Sequence, residues 1–242
     1  MTFINRFDAG RQLGAALLTY PFVDPVVLGV LRGGVPVAAE VAHVLQAPLD
    51  LCVVRKLFSP GSPSFAIGAI GERGAVHLDN SEIAKLQLSR DDVQRVIRFE
   101  LAEVLRLGEL LRDGQPLSLR DRDAIVVDDA VTTIDTLRAA ARSLRDHGPR
   151  SLVLAVPVGD LSLLGQLHAE FDRVVCLCAE PMLGAAGARY HDFPPVSEAE
   201  VAGLLAGARR DAETERSPEH RAKPEARHVA DDARSPAEVL ET

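Results

Sequence analysis

Ala124-Ile125-Val126-Val127-Asp128-Asp129-Ala130-Val131-Thr132-Thr133-Ile134-Asp135-Thr136 holds a short apolar run, two carboxylates, a hydroxyl-rich turn and the start of a helix in one stretch. The β-branched run suits a strand covered on both faces. A turn from such a strand into a helix aims backbone N–H groups and the positive end of the helix dipole at one point, which suits a phosphate. Asp128 and Asp129 can accept hydrogen bonds from a sugar diol or hold a Mg2+ through water. The same residues also suit plain helix capping, since Asp and Thr are ordinary cap residues.

Further apolar runs of the same kind lie at 26–30, 49–54, 151–158 and 174–177. Between them the periodicity predicts helices over 36–45, 89–113, 135–147 and 161–171. Pro36 opens the first of these, Ser89 and Asp92 resemble a capping box for the second, Gly114 suits its exit, and Gly148-Pro149 stops the third. Strands alternating with helices imply right-handed βαβ units and a mainly parallel sheet, with ligands beyond the carboxyl ends of the strands. One segment breaks the alternation: 66–70 and 75–78 flank Gly71-Glu72-Arg73-Gly74 and predict a hairpin.

Composition narrows the function. The 242 residues are 47% hydrophobic, ample for a buried core, and no apolar run is long enough to span a bilayer. Arg6, Asp8 and Arg11 interrupt the first residues, so no secretory leader is expected there. Cys52, Cys176 and Cys178 lie in apolar stretches without ligand spacing, which argues against zinc and a disulfide framework and favours a reducing cytoplasm. A net charge of -8 with scattered arginines gives no footprint for nucleic acid. Seven histidines show no metal-ligand spacing, and both a Gly-x-Ser-x-Gly elbow and a Gly-x-Gly-x-x-Gly loop are missing. The domain is expected over 1–206; from 207 to 242 Arg, Glu, Asp, Pro and Ala dominate, and a disordered charged tail is expected.

Residues 124–136 resemble the phosphoribosyl pyrophosphate (PRPP) motif of type I phosphoribosyltransferases: four apolar residues, two acids, then a loop ending Thr-Gly-x-Thr/Ser. Leu31-Arg32-Gly33-Gly34-Val35-Pro36-Val37-Ala38, Val54-Arg55-Lys56-Leu57, Pro60-Gly61-Ser62-Pro63, Phe65-Ala66-Ile67-Gly68-Ala69 and Tyr190-His191-Asp192-Phe193 resemble segments of a bacterial stand-alone branch of that family, in the same order, over roughly 3–205. The resemblance implies an α/β fold whose mainly parallel sheet is flanked by helices, with an inserted hairpin and a small C-terminal hood. It also implies Mg2+-dependent transfer of phosphoribose from PRPP to a nucleobase or related nitrogen nucleophile, with release of pyrophosphate. Asp128 and Asp129 would bind the ribose hydroxyls and, indirectly, the metal. The loop Ala130, Val131, Thr132, Thr133, Ile134, Asp135, Thr136 would hold the 5′-phosphate. Arg32, Gly33 and Gly34, with Arg55 and Lys56 beside a closing loop, would hold the pyrophosphate, Lys56 catalytically, and Tyr190, Asp192 and Phe193 would receive the base. No nucleic-acid or membrane partner is implied. A homodimer would fit the long helix over 89–113, which has apolar residues on more than one side.

Three positions depart from that pattern. Ile134 stands where Gly is usual, and a branched side chain there is expected to crowd the phosphate. Ser64 replaces an expected Glu, and Arg189 an aromatic. These departures favour an alternative, a catalytically degenerate binder of nucleotide or sugar phosphate on the same fold.

Overall fold

Runs of Val, Ile and Leu too short for helices become strands, and the amphipathic stretches between them become their covers. The structure, a computed structural model, describes residues 1–72, 76–112 and 116–216. In chain order the elements are α1 (Arg6–Leu17), β1 (Val26–Val30), α2 (Gly34–Leu45), β2 (Leu49–Cys52), β3 (Val54–Ser59), β4 (Ser62–Gly71), β5 (Val76–Leu78), α3 (Asn80–Lys85), α4 (Arg90–Leu111), β6 (Asp123–Val127), α5 (Asp135–Arg145), β7 (Ser151–Asp160), α6 (Leu161–Leu167), β8 (Arg173–Glu180), a 3-10 turn (Ala186–Arg189) and α7 (Glu198–Arg216).

Five strands form a sheet in the order β2-β1-β6-β7-β8, every neighbouring pair parallel. Side chains alternate across it. Val27, Ile125, Val153 and Val175 meet residues of α1, α2, α4 and α7 on one face, whereas Leu28, Val126, Leu154 and Cys176 meet α5 and α6 on the other. The chain leaves β1 toward β2 on one side and β6 toward β7 on the other, so the order reverses between β1 and β6. Crevices for ligands open beyond the carboxyl ends of strands at such a reversal. There the chain has Arg32-Gly33 after β1 and Asp128-Asp129 after β6.

The run over 49–54 is not one strand. It divides at Val53 into β2 of the parallel sheet and β3 of an antiparallel sheet ordered β3-β4-β5. The expected arms pair as Gly68 with Leu78, Ala69 with His77 and Ile70 with Val76, but β4 begins at Ser62 and its other edge is covered by β3. The segment expected as a closing loop after Arg55 and Lys56 is a two-residue turn, Pro60-Gly61. A turn this tight needs one positive φ, and Gly61 supplies it at 77°. Arg73, Gly74 and Ala75 at the hairpin tip, and Gly114 after the long helix, lie outside the described residues.

Ser89 caps α4 by accepting from the Asp92 N–H at 3.1 Å. Val93, Val104, Leu107 and Leu111 point inward, while Phe99, Leu105 and Leu110 are exposed. The next residue, Arg112, joins the two sheets. Its Nε donates to Asp50 Oδ1 of β2 at 2.6 Å and its Nη2 to Glu72 Oε2, at the end of β4, at 2.9 Å. α7 passes the expected domain edge at residue 206 and runs to Arg216, because the Ala, Arg and Glu that mark the composition change are themselves strong helix formers and Val201 and Leu205 anchor the helix to the core. Residues 217–242, also expected to be disordered tail, lie outside the described residues.

Removing Arg112 would leave Asp50, 3% exposed, as an uncompensated buried charge. Arg112→Ala is expected to cost about 3–5 kcal/mol. Urea unfolding of the two proteins measures the difference, and a loss below about 1 kcal/mol would mean that the sheets are held together without this bridge.

Candidate active site

The reversal of strand order brings two loops together over a cleft of about 420 Å3. The β1–α2 loop gives Arg32 and Gly33. The β6–α5 loop gives Asp128, Asp129, Ala130, Thr132, Thr133 and Thr136, and β3 adds Lys56 from the side. Arg6 closes one wall, and Ala186, Pro195 and Val196 close the far end.

The two glycines are required by contact. A Cβ on Gly33 would collide with the carboxylate of Asp129, and one on Gly34 with the carbonyl of Val127. The Leu31–Arg32 peptide that leads into this loop is cis.

Asp129 is the most heavily bonded residue of the cleft. Its Oδ2 accepts from Arg6 Nε at 2.8 Å, its carbonyl accepts from the Tyr190 hydroxyl at 2.7 Å, and its own N–H donates to Asp128 Oδ1 at 2.8 Å. Burial, with the neighbouring charge of Asp129 added, holds the Asp128 carboxyl well above the usual range. Burial first, and then Asp129, also pushes the Tyr190 phenol upward, so it remains a donor. Lys56 Nζ donates to Thr133 Oγ1 at 3.0 Å, linking the antiparallel sheet to the turn before α5.

That turn does not cap its helix with a side chain. Ile134 occupies the cap position of α5 without a side-chain hydrogen bond, so the capping reading of 129–133 fails. Among the described residues no acceptor meets the backbone N–H groups of Thr132, Thr133, Ile134 or Asp135, and the first amide of α5 to find one is that of Arg138, on Ile134 O at 2.8 Å. Unpaired amides beside a helix N-terminus favour an anion. Ile134 does not crowd them. With φ at −99° it is ordinary right-handed backbone, and its side chain packs against the core beneath α5 rather than lining the cleft. The position needs no glycine.

Several expected site residues sit elsewhere. Arg55 and Lys56 alternate along β3, so Arg55 turns to α4, where its Nε donates to Glu100 Oε2 at 2.5 Å. Val131 is buried and bridges to Gly159, and Gly34 and Asp135 stand behind the lining as the first residues of α2 and α5. Asp192 is exposed beside a separate cavity of about 70 Å3. Tyr190 and Phe193 stack at 4.7 Å and support Arg6 and Asp129 instead of forming the wall. Arg189 pairs with Glu180 away from the cleft, and the Ser64 side chain is not among those described.

Arg6 was not anticipated. Its guanidinium lies 3.6 Å from the centre of the Phe193 ring, and its Nη1 donates to Pro194 O at 2.7 Å. A local signal existed: a cation in the first turn opposes the dipole of its own helix, so Arg6 at the start of α1 needs a partner outside it. Ala186, Pro195 and Val196 carry no such signal.

The phosphoribosyl transferase domain profile matches residues 7–182. The chain belongs to this family. Two proteins from strains of Mycobacterium tuberculosis, provisionally named phosphoribosyl transferases, are each 42% identical to it over 210 residues, which is 86% of this chain and 47% of theirs. The chain thus spans about half the length of the curated relatives it matches. A crystal structure from Thermus thermophilus superposes with a TM-score of 0.74 at 35% identity, covering 86% of this chain and 99% of that one. The parallel sheet with helices on both faces is the type I phosphoribosyltransferase fold.

Two substitutions separate the roles of this phosphoribosyl transferase loop. Because the Asp128 carboxyl is raised above its unfolded value, the folded chain retains a proton that the unfolded chain has lost, and stability falls as pH rises through that interval. Asp128→Asn is expected to remove this slope and to be the more stable protein at neutral pH; melting curves from pH 4 to 8 check it, and an unchanged slope refutes it. Ile134→Gly removes core packing and is expected to cost about 2 kcal/mol. Phosphate affinity, read by calorimetry, should stay within about twofold, and a gain would show that Ile134 obstructs the loop after all.

Proposed function

We propose that this chain transfers phosphoribose from PRPP to a nitrogen nucleophile, a nucleobase or a close relative, with inversion at the anomeric carbon and release of pyrophosphate. The observation that carries the reading is convergence. Thr132 and Thr133, whose amides meet no acceptor among the described residues, a carboxylate pair, and the cations Arg32 and Lys56 line one cleft. A ligand matching all three has a terminal phosphate, a diol and a second polyanionic arm.

Each group then has a task. The turn from Thr132 to Thr136 holds the 5′-phosphate, and Asp128 and Asp129 accept from the ribose hydroxyls. Arg32 and Lys56, with the Gly33 backbone, draw negative charge onto the departing pyrophosphate. Fixed cations stabilise that charge without reorganising. Ala186, Pro195 and Val196 offer the acceptor an apolar seat. Catalysis here is positioning and electrostatics, since no protein group forms a covalent bond to the sugar.

Mg2+ fits the donors in one way. Among the described residues no cluster of three or more His, Cys, Asp or Glu is arranged to hold a metal, and one oxygen of Asp129 is already bonded to Arg6. Two hard carboxylates suit an ion shared with phosphate oxygens and water, not a cage built by protein alone. Bound in that way, Mg2+ would neutralise pyrophosphate charge. We assign the reaction to a reducing cytoplasm on the three cysteines, which stand as free thiols; no helix among the described residues is long and apolar enough to cross a membrane. The alternative, a degenerate binder of nucleotide or sugar phosphate, draws on Ile134, a half-buried side chain that packs against the core under α5.

Pyrophosphate release from PRPP in the presence of a panel of bases tests the reaction directly, and silence with every base while PRPP still binds would favour the binder. Arg32→Met separates the two arms of the ligand. Arg32 is exposed, so stability should not change. Losing one charge-assisted contact, about 1.5–3 kcal/mol, should weaken PRPP at least about tenfold and leave ribose 5-phosphate within about twofold. Equal losses for both ligands would remove Arg32 from the pyrophosphate arm.

A further inference from the structure

We infer that Arg6 is a positioning residue of this cleft, fixing Asp129 and supplying the positive charge beside it, so that the carboxylate pair meets the hydroxyls of a ribose phosphate instead of gathering a free divalent cation. The inference rests on the ribose-phosphate reading of the cleft and adds a residue that the PRPP motif does not contain.

Asp129 Oδ2 is enclosed between Arg6 Nε at 2.8 Å and the backbone of Gly33, where not even a methyl group fits. No N–H group of the described residues donates to Asp129 Oδ1, so Arg6 leaves that oxygen facing the neighbouring Asp128 carboxyl and an incoming ligand. The guanidinium is itself fixed on three sides, by Asp129, by Pro194 O and by the Phe193 ring. Such a fork bonds Asp129 and Pro194 O at once in a fixed geometry, whereas an ammonium, a point charge, would supply only the charge. The Arg6 side chain is 9% exposed and that of Asp129 14%, so solvent screens the pair little.

The backbone holds this arrangement in register. Phe3 N–H donates to Arg189 O, while Phe3 O and Ile4 O accept from His191 and Asp192, so the segment before α1 lies against the segment that carries Phe193. Arg6 follows directly. It thereby reads the position of the hood at one end and the orientation of the diol-binding carboxylate at the other.

The charge has a chemical consequence. Two adjacent carboxylates without a counter-ion attract Mg2+ or Mn2+ from solution; with Arg6 between them and the hood, one of the two charges is already matched. A divalent ion then enters with its polyphosphate rather than before it, and the diol finds an oriented acceptor.

Arg6→Met keeps the length of the stem and removes the charge and the fork. Two titrations of the full chain read it: free Mn2+, followed by its paramagnetic signal, and ribose 5-phosphate by calorimetry. In Arg6→Met, Mn2+ should bind at least about tenfold tighter than in the parent, and ribose 5-phosphate at least about tenfold more weakly. Arg6→Lys, which restores charge without the fork, should return Mn2+ binding to the parent level and recover ribose 5-phosphate only in part. A purely structural arginine would lower the melting temperature and move neither titration in these opposite directions, and that result overturns the inference. If the parent binds no ribose 5-phosphate yet Arg6→Met gains Mn2+, the function of Arg6 stands and the transferase reading fails. Should Arg6→Met not fold, Phe193→Leu withdraws the ring beneath the guanidinium and is expected to shift both titrations in the same directions; no shift there overturns the inference equally.

Discussion

The parallel pairing of β1 with β6, from Val26 opposite Ala124 to Gly29 opposite Val127, sets how close the two following loops must pass. It leaves no space for a side chain between the first turn of α2 and the end of β6, hence Gly33 against Asp129 and Gly34 against Val127. Everything chemical in the molecule is arranged around that contact. The same register that fills both faces of the sheet with aliphatic side chains therefore brings a glycine loop and a carboxylate pair together, and the site is a consequence of strand order before it is a consequence of any polar bond.

Much of this was legible from the residues. β1, β6 and β7 are continuous apolar runs because strands buried on both faces admit little else, and α4 was readable from Ser89 and its inward stripe. What misled was local propensity read without pairing partners. Val54 continues the apolar run of β2, yet it pairs with Gly71 in another sheet, and no period in the sequence marks the break at Val53. The Ala- and Arg-rich stretch after residue 206 looked too polar to order, but it needed only to prolong a helix already anchored by Val201 and Leu205. Within the site, the residues adjacent along the chain to the strand ends were readable. Arg6, Pro195 and Val196 come from remote segments, and only tertiary pairing delivers them.

Ile134 shows how a family pattern can mislead at a single position. Glycine is demanded only where φ is positive or a backbone must come within contact of a neighbour, and neither holds here. Among the described residues the amides of Thr132 and Thr133 meet no acceptor, while the Ile134 side chain packs under α5. What reads in the sequence as a departure from the family pattern is, in the structure, a side chain packed against the core.

Unpaired amides and a carboxyl forced toward its neutral form are both unfavourable in the free protein, and they lie side by side. Such a concentration of unsatisfied groups persists only where the surrounding structure holds it in place. Here the support is identifiable: Arg6 from α1, Tyr190 and Phe193 from the hood, and Lys56 from a sheet that Arg112 holds against β2. None of these supports comes from β6 or α5. On the proposed reading, the segment that carries the chemistry is kept in an unfavourable state by three others, so the cost is carried by the fold, and an anion with hydroxyl groups entering the cleft would relieve it by completing the bonds left open.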